Sequence, residues 1–293
     1  MLEANLPDQL RKAHAIPYEV SPHAYGLLHP SHMEWTTDGR LLVSEFGGGR
    51  IIDITEGGDY RNATAQASGL QNPAGICTTF EGDRVVVADT GRSQIIDITE
   101  GGEFAGESAM AAIPGVYGLV EREGTLHAVY ATETENGVAV AVGETFTAEN
   151  IHFGGFPNGS RDHPSYLPEV VACPSNWAAL AFDQERMLYV HSGLGAIYDV
   201  SNPGTFGTET SKFAEGLNRP LGMTFNPTTN LLYVAERGTG SIKPMPQEGG
   251  LDMRFVPPVA TGFRQPSCLR FSPDKTTMYV CDMADNVVWR VRF

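Results

Sequence analysis

IIDITEGG, at Ile51–Gly58, returns letter for letter at Ile95–Gly102, 44 residues further on. Each copy closes a longer unit, GRLLVSEFGGGRIIDIT at Gly39–Thr55 and DRVVVADTGRSQIIDIT at Asp83–Thr99. In both, a β-branched strand ends on an acid, turns through glycine and returns. A period of about 40–50 residues built of short strands indicates a radial array of four-stranded sheets. Working outward, the pattern yields six repeats. Their inner and second strands read HPSHMEW and RLLVSE, NPAGICTTF and RVVVAD, IPGVYGLVE and TLHAVYATE, NWAALAF and MLYVHS, RPLGMTF and LLYVAE, QPSCLRF and TMYVCD. Tyr189, Tyr233 and Tyr279 carry the register through the second half. The expected fold is all-β, a six-bladed β-propeller of four-stranded antiparallel blades.

The last repeat has no fourth strand, whereas residues 16–27 (IPYEVSPHAYGL) read as an outer strand without a blade. Joining the two closes the ring and removes two exposed sheet edges. The chain is therefore expected to be one domain over residues 1–293. It has an N-terminal extension at 1–15, able to form one or two helical turns around Pro7–Ala13, and a long inter-blade insertion at 143–172. Small residues recur on the inner strands (Gly75, Gly118, Ala179, Gly222, Cys268), where strands must crowd a narrow axis.

Thirty-five acidic against 20 basic residues leave a net charge of −15. That excess disfavours nucleic acid and anionic membranes, which require a basic face. No window has the ~18 apolar residues of a membrane span, and the first residues carry no signal-peptide core, so a soluble, cytoplasmic protein is expected. The four cysteines show no CxxC spacing, which excludes a zinc knuckle. Cys268 and Cys281 straddle the turn at Pro273–Lys275 as cross-strand neighbours, expected as free thiols.

VVVADTGRSQIIDI (85–98), LLYVAERGTGSI (231–242) and TMYVCDMADNVVWRV (277–291) resemble the NHL-type repeat. Through it the chain resembles, from about residue 28 to 293, the superfamily of six-bladed propellers. This superfamily includes SMP-30/gluconolactonase enzymes, strictosidine-synthase-like proteins, peptidylglycine amidating lyase and streptogramin lyase. In the lactonase branch the resemblance implies a divalent metal held on the axis by Glu, Asn and Asp side chains. The matching positions here are Ser31, Ala74, Tyr117, Ala178, Leu221 and Ser267, none of them a carboxylate. Asn176 supplies one Asn ligand if the register there is shifted by two.

One end of a propeller gathers the loops entering each inner strand and those joining second to third strands. The first set holds His29, His32, Asn72, Tyr117, Asn176, Arg219 and Gln265; the second holds Glu45, Asp89, Glu133, His191, Glu236 and Asp282. Glu45, Asp89, Glu236 and Asp282 are equivalent, and an acid there commonly accepts from N–H groups of the following glycine-rich turn. Asp53, Asp97 and Asp199 repeat on third strands and are expected to face solvent or a neighbouring blade. Residues that break the repeat are the better functional candidates. His32, His191, Tyr117 and Arg219 are the candidate acid–base and oxyanion-stabilising groups. Asn72, Asn176, Gln265, Glu236 and His163 are candidates for holding substrate. His29, His32, His191 and Glu45 are candidate ligands of one divalent metal. In HPSHMEW, His32 and Glu34 share a strand face. The 143–172 insertion, with His152, Arg161, Asp162, His163 and Tyr166, is a candidate lid or an elaborated blade edge.

No GxSxG elbow, Walker loop, dinucleotide fingerprint or HExxH occurs, so no nucleotide cofactor is expected. The expected function is a stand-alone propeller enzyme acting on a small polar or cyclic metabolite in an axial pocket, as hydrolase, lyase or isomerase. The alternative is a non-catalytic propeller that binds a ligand or a protein partner.

Overall fold

The computed structural model describes residues 6–79, 84–106, 109–122, 125–131, 136–142, 151–155, 178–183, 186–199, 201 and 212–292. Apart from the helix Asp8–Ala15 and short 3-10 turns, the described elements are strands, hydrogen-bonded into six sheets. The inner strands are Pro30–Trp35, Pro73–Thr79, Val116–Arg122, Ala178–Asp183, Pro220–Asn226 and Pro266–Phe271. Each touches the next in chain order, and the sixth touches the first. The fold is an all-β propeller.

The ring is closed by chain termini that are remote in sequence. Glu19–Tyr25 runs antiparallel to Val287–Arg292 and becomes the fourth strand of the sheet begun at Pro266. Hydroxyls then stitch the inner strands to one another and, from the second strand of the first sheet, to the next inner strand. Ser267 Oγ donates to Ser31 O at 3.0 Å, Ser31 Oγ to Pro73 O at 3.3 Å and Ser44 Oγ to Ala74 O at 2.6 Å.

The repeated octapeptide has a local physical meaning. Asp53 Oδ1 accepts from Thr55 N (3.0 Å) and Thr55 Oγ1 (2.5 Å), and that hydroxyl accepts from Leu41 N at 2.8 Å. Asp97 and Thr99 repeat the arrangement on Val85 N, as Asp199 and Ser201 do on Met187 N. The aspartate thus locks a tight turn, whose hydroxyl satisfies the N–H that opens the second strand. These aspartates are half-buried and spent on their own turns, a tighter role than the solvent-facing or inter-blade one expected.

The glycine pair then turns the chain onto the neighbouring sheet. Gly57 and Gly101 sit at φ +71 and +68, and a Cβ on either would meet a backbone oxygen, His23 O or Gln66 O, at 2.7 Å. The next residues add parallel two-residue strands, Gly58–Asp59 beside Ala24–Tyr25 and Gly102–Glu103 beside Ala67–Ser68. Leu251–Asp252 does the same beside Ala214–Glu215. Replacing Asp53 by alanine is expected to cost about 1–2 kcal/mol, two hydrogen bonds at about 1 kcal/mol each. A urea-midpoint shift below a quarter of that would show the turn to be self-sufficient.

The core lies between sheets, not within one. Met33, Leu41, Val43, Ile52, Cys268, Cys281 and Val288 pack the joint of the last sheet with the first. Cys268 and Cys281 are direct register partners, as their spacing about the turn predicted, and both are buried, free thiols. Helix Asp8–Ala15 buries Leu10 and Ala13 against the sheet begun at Pro220, and His14 Nε2 lies 2.9 Å from Pro257 O. Among the described residues no helix is long and apolar enough to cross a membrane.

Ile151–Gly155, inside the insertion, pairs antiparallel with Asn136–Val142 as an edge strand of the third sheet. Residues 143–150 and 156–177, with Arg161, Asp162, His163, Tyr166, Cys173 and Asn176, lie outside the described residues, as does Glu133.

Candidate functional site

Three of the positions aligned with lactonase metal ligands, Ala74, Tyr117 and Leu221, meet in one buried cluster, while the Ser31 and Ser267 hydroxyls are spent on backbone carbonyls of neighbouring inner strands. Ala74, Tyr117, Leu221 and Met283, from four different sheets, form one buried cluster, with Phe46 of a fifth packed against it. Only an axial location lets side chains so remote in sequence meet. A divalent cation needs several oxygen ligands, some anionic, and this plug offers none from Ala74, Leu221, Met283 or Phe46. The residues do not fit such a metal.

The histidine set does not fit one either. Among the described residues no group of three or more His, Cys, Asp or Glu side chains could hold a metal ion, so His29, His32, His191 and Glu45 do not assemble. Glu45 is fully buried, and its oxygens accept from Leu28 N (3.0 Å) and Arg50 Nε (2.7 Å). His29 stays on an exposed loop at φ +51, the left-handed backbone shared by Asn72 (+53) and Arg219 (+50) at the equivalent positions. His191 is buried, and its Nδ1 accepts from Leu194 N at 3.1 Å within its own turn.

The equivalent acids are structural. Asp89 accepts from Gln71 N (2.7 Å), Glu236 from Asn218 N (2.8 Å) and Asp282 from Arg264 N and Gln265 N (2.7 and 2.9 Å). Their main partners are therefore N–H groups of the loop entering the inner strand, where the following turn was expected. Glu236 is correspondingly not available to hold a substrate on the axis. Asn72 and Arg219 stand exposed at the rim, with Asn72 Nδ2 donating to Phe46 O at 3.0 Å. Gln265 accepts from Arg237 Nη2 at 3.1 Å. The mixed polar ring inferred from sequence is thus a rim, and the axis beneath it is apolar.

Below the plug the axis turns polar again. His32 and Tyr117, on the first and third inner strands, meet edge to face with ring centroids 5.0 Å apart. Of the four candidate catalytic residues, these two are brought together. Both are buried, and His32 Nδ1 has no hydrogen-bond partner among the described residues. Burial, with the Arg270 guanidinium adding to it, holds the His32 pKa down to about 3. The imidazole is consequently neutral at physiological pH, and a weaker base than its residue type suggests.

Two residues along the strand, Glu34 accepts from Arg270 Nε and Nη2, both at 3.3 Å, and Arg270 Nη1 donates to Leu269 O at 3.0 Å. Each side chain keeps about a fifth of its surface accessible (21% and 22%) inside the ring. Burial pushes the Glu34 carboxyl up, and Arg270 opposes that rise. Cys268 lies in the same field, its thiol lowered by the Cys281 hydrogen bond and then by Arg270; burial pushes the Cys77 thiol up.

Sequence reasoning missed Arg270. It occupies the inner-strand position where Cys77, Val120 and Thr224 stand in other repeats, and a lone cation among them was the available signal. A neutral imidazole, a phenol, an ion pair and two thiols can orient a small polar molecule and stabilise negative charge on it.

No family model and no curated protein matches the chain. Solved structures do. Virginiamycin B lyase from Staphylococcus aureus, as a catalytically inactive histidine-to-alanine variant with quinupristin, is 12% identical at TM-score 0.56, covering 94% of this chain and 100% of that one. The shared architecture is the β-propeller. A streptogramin B lyase is 10% identical at TM-score 0.53, with 94% and 97% covered. An auxiliary nutrient binding protein from Bacteroides thetaiotaomicron is 11% identical at TM-score 0.61, with 94% and 76% covered. At such identities the propeller likeness is one of fold.

Proposed function

We propose that this chain binds a small polar or cyclic metabolite at the axial residues around His32 and acts on it by hydrolysis, elimination or isomerisation. The observation that carries this reading is the meeting of His32 and Tyr117 across the axis, beside the Glu34–Arg270 pair. With its ring neutral, His32 serves as a hydrogen-bonding group that orients a substrate O–H or N–H. Tyr117 is the candidate proton donor, and Arg270 stabilises negative charge that develops on the substrate. The lyases among similar folds, one of them inactivated by loss of a histidine, support a catalytic role by analogy only.

A second reading, a propeller that binds its ligand without turning it over, is favoured by the depressed His32 pKa. It makes His32 a weak proton acceptor at neutral pH. The nutrient-binding neighbour fits this reading. We further read each of the six sheets as one blade, supported by the cyclic contact of inner strands and by the Ser267–Ser31 hydrogen bond.

The test is turnover of a panel of lactones, cyclic esters and elimination-prone uronates by the wild type, Tyr117→Phe and Arg270→Met. Loss of a positioned proton donor or charge stabiliser is expected to lower kcat/KM about 100-fold in each variant. Turnover that survives both substitutions sinks the axial assignment. Saturable binding without turnover, lost in both variants, selects the second reading.

A further inference from the structure

The repeats differ in how they fill the space between the acid that ends the second strand and the outer strand. In the first sheet Arg50 fills it, with Nε on Glu45 at 2.7 Å and Nη1 reaching Ala63 O at 3.5 Å. In the second sheet Arg92 fills it, with Nη1 on Asp89 (2.7 Å) and Phe104 O (3.2 Å), and Nη2 on Gly69 O (2.8 Å).

The fifth sheet lacks that arginine. Strand register pairs Glu45 with Arg50 and Glu236 with Ser241, so Ser241 stands in the place of Arg50. The same register puts Lys243 where Ile52 and Ile96 stand. Glu236 is held by Thr239 Oγ1 (2.9 Å), Ser241 Oγ (3.1 Å) and Lys243 Nζ (3.3 Å). Lys243 is 9% exposed, and its Nζ also donates to Met253 O at 2.7 Å. Short hydroxyls cannot fill the volume of a guanidinium, and a cleft of about 560 Å³ remains.

Its floor is polar, from Glu236, Ser241 and Lys243, and its wall is Phe255, Val256, Pro257 and Pro258. Phe255 is 61% exposed, the most open large apolar side chain in the protein's described part. The wall is preformed. Two consecutive prolines stiffen it, and His14 of the N-terminal helix sits against Pro257 O. The volume falls within the usual range of small-molecule sites, roughly 300–1,000 Å³.

We propose that this cleft on the fifth sheet, separate from the axis, binds a small molecule with an apolar ring and one acidic or carbonyl head. The head takes the Lys243 N–H not engaged by Met253 or Glu236, and the ring lies against Phe255 and the proline pair. An ammonium already compensates Glu236, so the cleft selects an acceptor head over a cationic one.

The experiment uses the full chain and 8-anilinonaphthalene-1-sulfonate, an aromatic sulfonate, as probe, followed by fluorescence titration. The double variant Ser241→Arg/Lys243→Ile rebuilds the arginine-filled pattern of the first sheet, and Phe255→Ala removes the exposed wall. Saturable one-site binding by the wild type is expected, at least tenfold weaker in both variants, with circular dichroism unchanged. Equal affinity in wild type and Phe255→Ala overturns the proposal, as does absence of saturable binding by the wild type. Phe255 is exposed, so that arm stands even if the double variant does not fold.

Discussion

Asp282→Ala is expected to destabilise the protein by roughly 3–5 kcal/mol, because each buried N–H left without an acceptor costs about 1–3 kcal/mol. The carboxylate is fully buried and accepts from four backbone donors: Arg264 N (2.7 Å), Gln265 N (2.9 Å), Ala284 N (3.2 Å) and Asp285 N (3.3 Å). It therefore ties the loop entering the sixth inner strand to the turn leaving the second strand of that sheet. The same sheet receives the N-terminal strand, so loosening it opens the joint of the ring. Asp282→Asn keeps one acceptor oxygen and should lose about half as much. Urea unfolding distinguishes the outcomes: a midpoint unchanged in Asp282→Ala would mean that water replaces the carboxylate at no cost.

His32 should make the fold acid-sensitive well above the carboxylate range. Its folded pKa of about 3 lies below the ordinary 6.5, so the unfolded chain binds the proton first. This stabilisation is complete above about pH 6.5 and is lost progressively as pH falls toward 3. At pH 5 the loss is on the order of 2 kcal/mol. His32→Gln, neutral throughout, should remove that slope. Glu34, whose carboxyl is pushed up by burial, works in the opposite sense, but it is present in both proteins and largely cancels in the difference. Denaturation at pH 7 and pH 5 is the measurement. A wild type and a variant that lose equal stability over that interval would place His32 in water.

Much of the fold was legible because its signals are local. Asp53 and Thr55 close their turn within three residues, and Gly57 is required by a positive φ, so the same letters recur wherever the same turn recurs. The bladeless strand at 16–27 and the missing fourth strand of the last repeat together specify the closure. Register followed from the tyrosines, and the turn at Pro273–Lys275 made Cys268 and Cys281 cross-strand neighbours. The rim was legible in the same way, since His29, Asn72 and Arg219 are equivalent loop positions.

The site was less so. Glu34 and Arg270 are 236 residues apart, and nothing within either strand announces the other. His32 and Tyr117 stood out as residues that break the repeat, and Arg219 and His191 broke it equally. Only packing separates them: the first pair meets on the axis, His191 turns into its own hairpin, and Arg219 faces water. The equivalent acids were legible as acceptors of backbone N–H groups, but the donors include loops some 17 or 18 residues away as well as the turn that follows.

What the sequence by itself determined is the repeating unit, the strand order within it and the closure by the N-terminal strand, since turns and strand periodicity depend on neighbours along the chain. Tertiary structure alone decided that the axis is plugged by Ala74, Tyr117, Leu221, Met283 and Phe46, and that an ion pair lies beside His32. It alone left a cleft where Ser241 replaces an arginine. The reason is physical: burial, charge pairing and unfilled volume are properties of side chains brought together by the ring, and a one-dimensional pattern does not carry the distances between them.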